Sequence, residues 1–483
     1  MKKAAPKFSV EEVLTATGGE VISNPSSVKT FCGICTDSRV AARGNLFVAL
    51  KGEKFDGHDF VRDALDREAA GVLIHDEEKV LPFLNREKTV IIRVGDTLTA
   101  LGDLAHHWRK KFSTVVIALT GSSGKTTTKE MIASIMSRKK NILKTEGNLN
   151  NLIGLPQTIF GMTKQHEAVI LEMGTNTRGE IKRLTQIASP DIGLITNVGP
   201  AHLAGLGSLE AVRDEKCDLF LNMSRDATAV VNLDDEAVVA GSESWDGKRV
   251  TFSMGTGADV TAAQIEKQGL KGISFHLVIG GRAKEVVMKI AGMHHVYNAL
   301  AAAATAFAAG MEMETIAEGL AAFTPFSGRM EVIKLQNGAY LLDDSYNANP
   351  ASVREALMAL KDLKGHHSGY VFLGDMLELG SHAEEMHRKI GMLIATVGIT
   401  ALFLQGDFSP MTAAGAIEGG LASENIFFLP RQDQEIDFLK TNLKKGDWIL
   451  VKGSRRMKME HYVHKICEAF GCDRANHQPQ SAS

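Results

Sequence analysis

The segment Thr114-Val115-Val116-Ile117-Ala118-Leu119 runs straight into Thr120-Gly121-Ser122-Ser123-Gly124-Lys125-Thr126-Thr127. A short aliphatic strand, a glycine-rich turn and the start of a helix in immediate succession leave few folds open. The strand does not alternate apolar with polar residues, so it reads as buried on both faces, as in a parallel sheet. Glycine lets the turn expose its backbone N–H groups to an anion, and the helix N-terminus adds positive partial charge. Lys125 supplies a point charge for phosphate oxygens, and the Thr126 hydroxyl can reach Mg²⁺. The spacing is shorter than the full eight-residue Walker form, because Ala118 or Leu119 stands where its first glycine would be. Gly121, Ser122, Ser123, Gly124, Lys125, Thr126 and Thr127 are therefore the expected phosphate-binding set, with a nucleoside triphosphate as ligand.

The same pattern recurs along the chain. Ala168–Leu171, Ile192–Ile195 and Ala229–Val231 read as buried strands, and a second series reads so at Tyr340–Leu342, Tyr370–Leu373, Ala401–Leu404 and Trp448–Val451. With longer helical stretches between them, these predict an α/β architecture of parallel sheets. Domains usually hold about 100–200 residues, so 483 residues predict two to four of them. The basic segment Arg109-Lys110-Lys111-Phe112 and the turn-rich Thr324-Pro325-Phe326-Ser327-Gly328 mark two boundaries. They divide the chain into units 1–112, 113–328 and 329–483.

Composition excludes several classes. Hydrophobic residues make up 44% and charged residues 23%, which argues against a disordered chain. A formal net charge of −3 provides no basic field for nucleic acid. Five cysteines fit a reducing compartment, and Cys32-Gly33-Ile34-Cys35 reads as two structural thiols. No signal peptide is expected behind Met1-Lys2-Lys3, because Glu11 and Glu12 precede any apolar run. Ala299–Met311 falls short of the roughly 18 apolar residues of a membrane span and predicts a packed helix. Gly391–Leu404 predicts a helix end and a strand, broken at Gly398. The polar tail Asp473–Ser483 is expected to fray. The expectation is a cytoplasmic protein without membrane or nucleic-acid partners.

In open α/β sheets ligands lie beyond the carboxyl ends of the strands. Glu172 follows Ala168–Leu171, Asn197 and His202 follow Ile192–Ile195, and Asn232, Asp234 and Asp235 follow Ala229–Val231. A carboxylate facing the phosphate loop is what a hard cation such as Mg²⁺ requires. Imidazole is a less usual Mg²⁺ ligand, so His202 stands out by its place at the sheet edge rather than by its chemistry.

With these residues in hand, the chain resembles the Mur ligase family, ATP-dependent ligases that build the cytoplasmic peptidoglycan precursor. The resemblance rests on Gly121–Thr127, Thr145-Glu146-Gly147-Asn148-Leu149-Asn150-Asn151, Glu172-Met173-Gly174, Asn197–Leu203, Gly292–Ala299 and Gly328-Arg329. It implies an α/β chain of three domains: an N-terminal α/β uridine-nucleotide domain, a central parallel-sheet P-loop ATPase domain and a C-terminal Rossmann-like α/β domain. Asp343–Pro350, Leu373–Gly380 and Val451–Arg455 are similar to the member that adds D-alanyl-D-alanine to UDP-N-acetylmuramoyl-tripeptide. Thr36–Arg39 and Leu46–Phe60 are similar to the family's uridine-diphosphate-sugar domain.

The resemblance implies roles residue by residue. Lys125 and the loop amides would hold the ATP phosphates. Thr126 and Glu172 would bind one Mg²⁺, and His202 would help to bind a second. Lys216 would be carbamylated, its amine converted to an anionic carbamate that can sit near Mg²⁺. Asn298 would contact adenine, Arg329 the phosphates and Asp344 the ribose. Ser38, Arg39, Phe47, Gly52, Asp56, Gly57, His58, Asn148 and Asn151 would serve the sugar-nucleotide substrate, and Tyr346 and Asn349 the dipeptide. His295, Tyr297 and Arg456 depart from the family's commoner residues. The implied reaction is acyl-phosphate formation followed by amide formation, on a monomer. Another amino-acid ligase of the family, a folyl-polyglutamate type included, a non-catalytic ATP-dependent switch and a P-loop kinase are the competing readings.

Overall fold

The computed structural model describes residues 5–24, 28–80, 89–430 and 434–472. The tail Asp473–Ser483 lies outside the described residues. Three sheets carry the architecture, together with a two-stranded pairing of Lys7–Ser9 with Thr30–Cys32.

The first sheet has five strands in the order Glu20–Ser23, Val90–Arg93, Gly71–Ile74, Leu46–Val48, Ile34–Cys35. All pair in parallel except the Glu20–Ser23 edge. After it, the helix Thr97–Arg109 starts where Asp96 accepts a hydrogen bond from the Thr99 N–H at 2.7 Å. That helix packs on Gly154–Phe160 and Glu180–Ala188 of the next unit.

Arg109, expected at a boundary, is buried. Its guanidinium donates to the carbonyls of Ala188, Phe112 and Ser189 and pairs with Asp191 at 3.1 Å. Asp191 also accepts from the Val116 N–H at 2.7 Å. One buried cation, satisfied at every arm, thus joins the first unit to the first strand of the second. A single apolar core, running from Phe8 and Leu104 to Leu171 and Phe220, is shared by the two units.

The central sheet has nine strands, ordered Arg282–Met288, Ile273–Ile279, Val260–Lys267, Lys248–Ser253, Thr228–Asn232, Ile192–Ile195, Val115–Thr120, Ala168–Glu172, Ile142–Lys144. From Val260–Lys267 to Ile142–Lys144 the pairing is parallel, and the other two strands add antiparallel. Ala168–Glu172 and Ile192–Ile195 are buried throughout, as their unbroken aliphatic runs predict. The alanine-rich segment is the helix His294–Ala308, packed against Lys125–Met136. Its small side chains are buried in the same apolar core as Met131, Ile132 and Ile135 of that helix.

The third sheet has six strands, ordered Glu331–Lys334, Tyr340–Asp344, Trp448–Lys452, Gly369–Gly374, Ala401–Gln405, Ile426–Phe428. Only the Glu331–Lys334 edge is antiparallel. Apolar cores cover both of its faces. The expected break at Gly398 is present: the helix Ala383–Val397 ends there with φ 68°, and the strand begins at Ala401. All five cysteines are free thiols. Among the described residues no helix is long and apolar enough to cross a membrane.

Candidate active site

The strand Val115–Thr120 ends on the phosphate loop, and the helix Lys125–Met136 begins directly after Gly124. Two glycines make the turn possible. Gly121 has φ 152°, and a Cβ there would sit 1.9 Å from Thr196 Oγ1. Gly124 has φ 77°, and a Cβ there would meet Asn298 Oδ1 at 2.3 Å. Asn197 braces the loop from the neighbouring strand end. Its Oδ1 accepts from the Ser123 N–H at 2.9 Å, and its Nδ2 donates to Ser123 O and Oγ. Lys125 Nζ donates to the Gly121 carbonyl at 2.6 Å, which arches the side chain back over the loop.

Glu172 ends its strand one position from this loop. Its Oε1 accepts from Thr126 Oγ1 at 3.3 Å and from Asn150 Nδ2 at 2.9 Å. Its Oε2 is buried with no hydrogen-bond partner. Behind it, Lys129 Nζ stands 3.6 Å away, both side chains buried, and donates to the Thr145 carbonyl at 2.8 Å. Arg329 Nη2 donates to Thr126 Oγ1 at 3.3 Å, so the third unit reaches the same hydroxyl. Burial draws the Lys125 amine below the ordinary lysine range; Glu172 opposes this and Arg329 reinforces it.

Sheet register sets the facing wall. Asp344 and Lys452 are paired residues at the carboxyl ends of adjacent parallel strands, and their side chains form a buried ion pair. Lys452 Nζ also donates to the Asn347 carbonyl at 3.0 Å. The Arg329 guanidinium carbon lies 4.1 Å from the Tyr346 ring centroid and that of Arg455 lies 5.4 Å from it, so two cations share one ring. Asn349 caps the helix Pro350–Lys364 through Ser352 N at 2.8 Å, and its Nδ2 donates to the Ser122 carbonyl at 3.2 Å.

These groups line one cleft of about 640 Å³ between the second and third units. It brings together Ser122, Ser123, Gly124, Lys125, Thr126, Thr127, Asn148, Asn151, Glu172, His202, Asn298, Arg329, Asp344, Tyr346 and Asn349. Gly121 lies in the turn beneath, without lining it. Lys216 is buried on the helix Leu209–Leu221 and does not line the cleft, and its side chain forms no hydrogen bond or ion pair among the described residues. Burial, with Lys125 nearby, holds its amine well below the ordinary lysine range.

The first-unit residues do not line this cleft. Phe47 is buried in the core of its own unit. His58 is also buried; its Nδ1 lies 2.6 Å from Asp56, and its Nε2 accepts from the His75 and Asp76 N–H groups. Asp56 is tied to Lys79 as well, at 2.7 Å. Ser38 is buried, whereas Arg39 extends into solvent beside Asp37. Gly52 and Gly57 shape the turn between Lys51 and Asp56.

Lys129 is not singled out by the sequence, and Asn150 and Lys452, though inside the motifs Thr145–Asn151 and Val451–Arg455, receive no role from it. Lys129 carried a signal: it follows Lys125 by one helical turn, on the side of the helix facing the sheet.

A P-loop, an opposed carboxylate and a second α/β unit closing over both define a nucleotide-dependent ligase fold. The chain belongs to the Mur ligase family. Family models match at residues 30–109 (Mur ligase family, catalytic domain), 119–306 (Mur ligase middle domain) and 328–455 (Mur ligase, glutamate ligase domain). The UDP-N-acetylmuramoyl-tripeptide–D-alanyl-D-alanine ligase of Bacillus subtilis (strain 168) is 35% identical over 464 residues, 96% of this chain and 99% of that protein. MurF from Acinetobacter baumannii superposes with a TM-score of 0.87 at 31% identity, covering 96% of this chain and 100% of that one. MurF ligase from Thermotoga maritima in complex with ADP gives 0.81 at 26% identity, covering 90% and 97%.

Proposed function

We propose that this protein joins D-alanyl-D-alanine to UDP-N-acetylmuramoyl-tripeptide at the expense of ATP, in the cytoplasm and as a monomer. The observation that carries the reading is the cleft itself, in which Lys125, Thr126 and Glu172 of the second unit meet Arg329, Asp344 and Tyr346 of the third. Unit 1–112 holds the uridine nucleotide, with Ser38, Arg39, Phe47, Gly52, Asp56, Gly57 and His58 shaping that region. Unit 113–328 holds ATP, and unit 329–483 holds the incoming dipeptide. Three sheets, one in each span, support this division.

A carboxylate is a poor electrophile. The terminal carboxylate of the tripeptide attacks the γ-phosphorus, ADP leaves, and an acyl phosphate results. Phosphoryl transfer depends on positioning and charge neutralisation, which Lys125, Arg329 and the loop amides supply. The neutral amine of the dipeptide then attacks the acyl carbon, and phosphate leaves. Asn298 and Asp344 orient the nucleoside, Asn148 and Asn151 the acyl substrate, and Tyr346 and Asn349 the dipeptide. The third unit, lying over the cleft, excludes water from the acyl phosphate.

The residues fit Mg²⁺. Glu172 offers a buried oxygen with no hydrogen-bond partner, 3.6 Å from Lys129 Nζ, and the Thr126 hydroxyl is 3.3 Å from its other oxygen. Thr126 and Glu172 would hold one ion, and His202 would help with a second. Bound there, Mg²⁺ neutralises charge developing on the transferring phosphoryl group. Lys216, a buried amine displaced toward its neutral form, is suited to react with CO₂ to give a carbamate. The test is turnover with ATP and the two substrates: sustained formation of ADP and phosphate should require both the tripeptide, as acyl donor, and the dipeptide, as acyl acceptor. Sustained ADP release without the tripeptide, or without the dipeptide, would overturn the assignment.

A further inference from the structure

Asp343 and Asp344 are neighbours at the carboxyl end of the strand Tyr340–Asp344, where alternation sends successive side chains to opposite sides. Asp344 meets Lys452 and lines the cleft; Asp343 is buried and does not line it. A carboxyl group away from water is costly unless hydrogen-bond partners surround it. Asp343 Oδ1 accepts from the Ser345 hydroxyl at 2.6 Å and from the Ser345 N–H at 3.1 Å, and its Oδ2 accepts from the Gly328 N–H at 3.2 Å. The Gly328 carbonyl accepts in turn from the Tyr346 N–H at 3.2 Å. Gly328 ends the second unit, so both of its backbone polar groups are gripped by the third. Arg329 follows directly. The residues on either side of it hold left-handed backbones, with φ 75° at Gly328 and 57° at Met330. Met330 carries a Cβ and is buried, and such a residue persists in that region only where its surroundings over-determine it. From this turn the Arg329 side chain crosses to the phosphate loop. Its Nη2 donates to Thr126 Oγ1 at 3.3 Å, and its Nε is buried with no hydrogen-bond partner.

We propose that Asp343 is a positioning residue for Arg329: by holding the Gly328 N–H it fixes the turn from which the guanidinium reaches the phosphates. A long side chain amplifies any rotation at its root, and a misplacement of about 1 Å in a catalytic group can cost on the order of 100-fold in rate. The residue type fits the task. Three donors converge on Asp343, two from Ser345 and one from Gly328. A carboxylate accepts on both oxygens, whereas an amide would turn an N–H₂ group toward one of those donors. Because Asp344 stands next in the same strand, one strand end sets the ribose contact and the phosphate contact together. The proposal rests on the phosphate role given to Arg329 above.

The test uses the full chain with Asp343→Asn, which keeps an oxygen for Ser345 but loses the acceptor for Gly328, and with Asp343→Ser, whose side chain is too short to reach Gly328. In each, kcat should fall about 10- to 100-fold while the uridine nucleotide still binds. In an Arg329→Ala background the same changes should lower kcat by no more than about threefold, because Asp343 acts through Arg329. Ser345→Ala removes only the hydroxyl on the other oxygen and should keep kcat within about threefold of wild type. Unimpaired turnover in both Asp343 variants, a further fall of about tenfold or more in the Arg329→Ala background, or a loss in Ser345→Ala as large as that in Asp343→Asn would overturn the proposal. Wild-type turnover in Arg329→Ala alone would instead overturn the phosphate role of Arg329, and the proposal with it.

Discussion

Asn349 touches Ser122 across the cleft: a side chain that caps a helix of the third unit donates to the carbonyl of a phosphate-loop serine at 3.2 Å. Its Oδ1 is committed to the helix and its Nδ2 to the loop. The two jobs can be separated. Asn349→Asp keeps a cap acceptor but loses the donor and places negative charge beside the phosphates. Thermal stability should stay within about 1 kcal/mol of wild type, while kcat should fall by tenfold or more, on the order of the 1.4 kcal/mol such a hydrogen bond represents. Asn349→Ala should lose both. Melting curves and steady-state kinetics on the two variants check this.

Lys125→Ala should reduce ligation by about 10³-fold or more, because charge neutralisation carries most of phosphoryl transfer. Binding of the uridine nucleotide should persist, since its unit lies elsewhere. Isothermal titration with that nucleotide and a product assay provide the two readouts. Near-normal turnover would remove the loop from the mechanism.

Gly124 faces two constraints that can be tested apart. Gly124→Ala meets Asn298 Oδ1 and also a φ of 77°. Adding Asn298→Ala relieves the contact and leaves the backbone strain, which costs roughly 1–2 kcal/mol for a residue with a Cβ. The double variant should therefore be more stable than Gly124→Ala yet less stable than Asn298→Ala. Urea unfolding of the three variants decides.

Lys216 gives a pH signature with a definite sign. Its amine is held well below the ordinary lysine range by burial and by Lys125. The unfolded chain thus binds this proton more tightly than the folded chain does. Stability contributed by the site must rise with pH between the folded value and the usual lysine value of about 10.4, and fall as pH drops through that window. Lys216→Met should flatten that part of the profile. An unchanged slope, measured by denaturant unfolding over a pH series in CO₂-depleted buffer so that the amine is free, would contradict the buried amine.

Much of this fold could be read from residue order. Ile192–Ile195 is the expected strand to the residue, and Val115–Thr120 differs from expectation by one position at each end. Parallel strands buried on both faces leave unbroken aliphatic runs, so they announce themselves. The antiparallel extension Ile273–Met288 did not. Its last strand, Arg282–Met288, carries exposed Arg282, Lys284 and Glu285, and its burial pattern mixes with loop-like composition. At the site, motif residues such as Lys125 and Glu172 were legible because their chemistry is local to a strand end. Lys129, Asn150 and Lys452 were not, because each acts through a neighbour distant in sequence: Lys129 through Glu172, Asn150 through Glu172, Lys452 through Asp344. The contact between Asp343 and Gly328 depends on how two units join, which no local pattern encodes.

Activation of a carboxylate by ATP and delivery of an amine to it in one cleft can be read from the products by mass spectrometry of a reaction containing ATP, UDP-N-acetylmuramoyl-tripeptide and D-alanyl-D-alanine. A single new species is expected, in which the dipeptide is joined to the tripeptide by an amide bond, formed together with equal amounts of ADP and phosphate. Recovery of both substrates unjoined, with ATP intact or consumed without them, would contradict it.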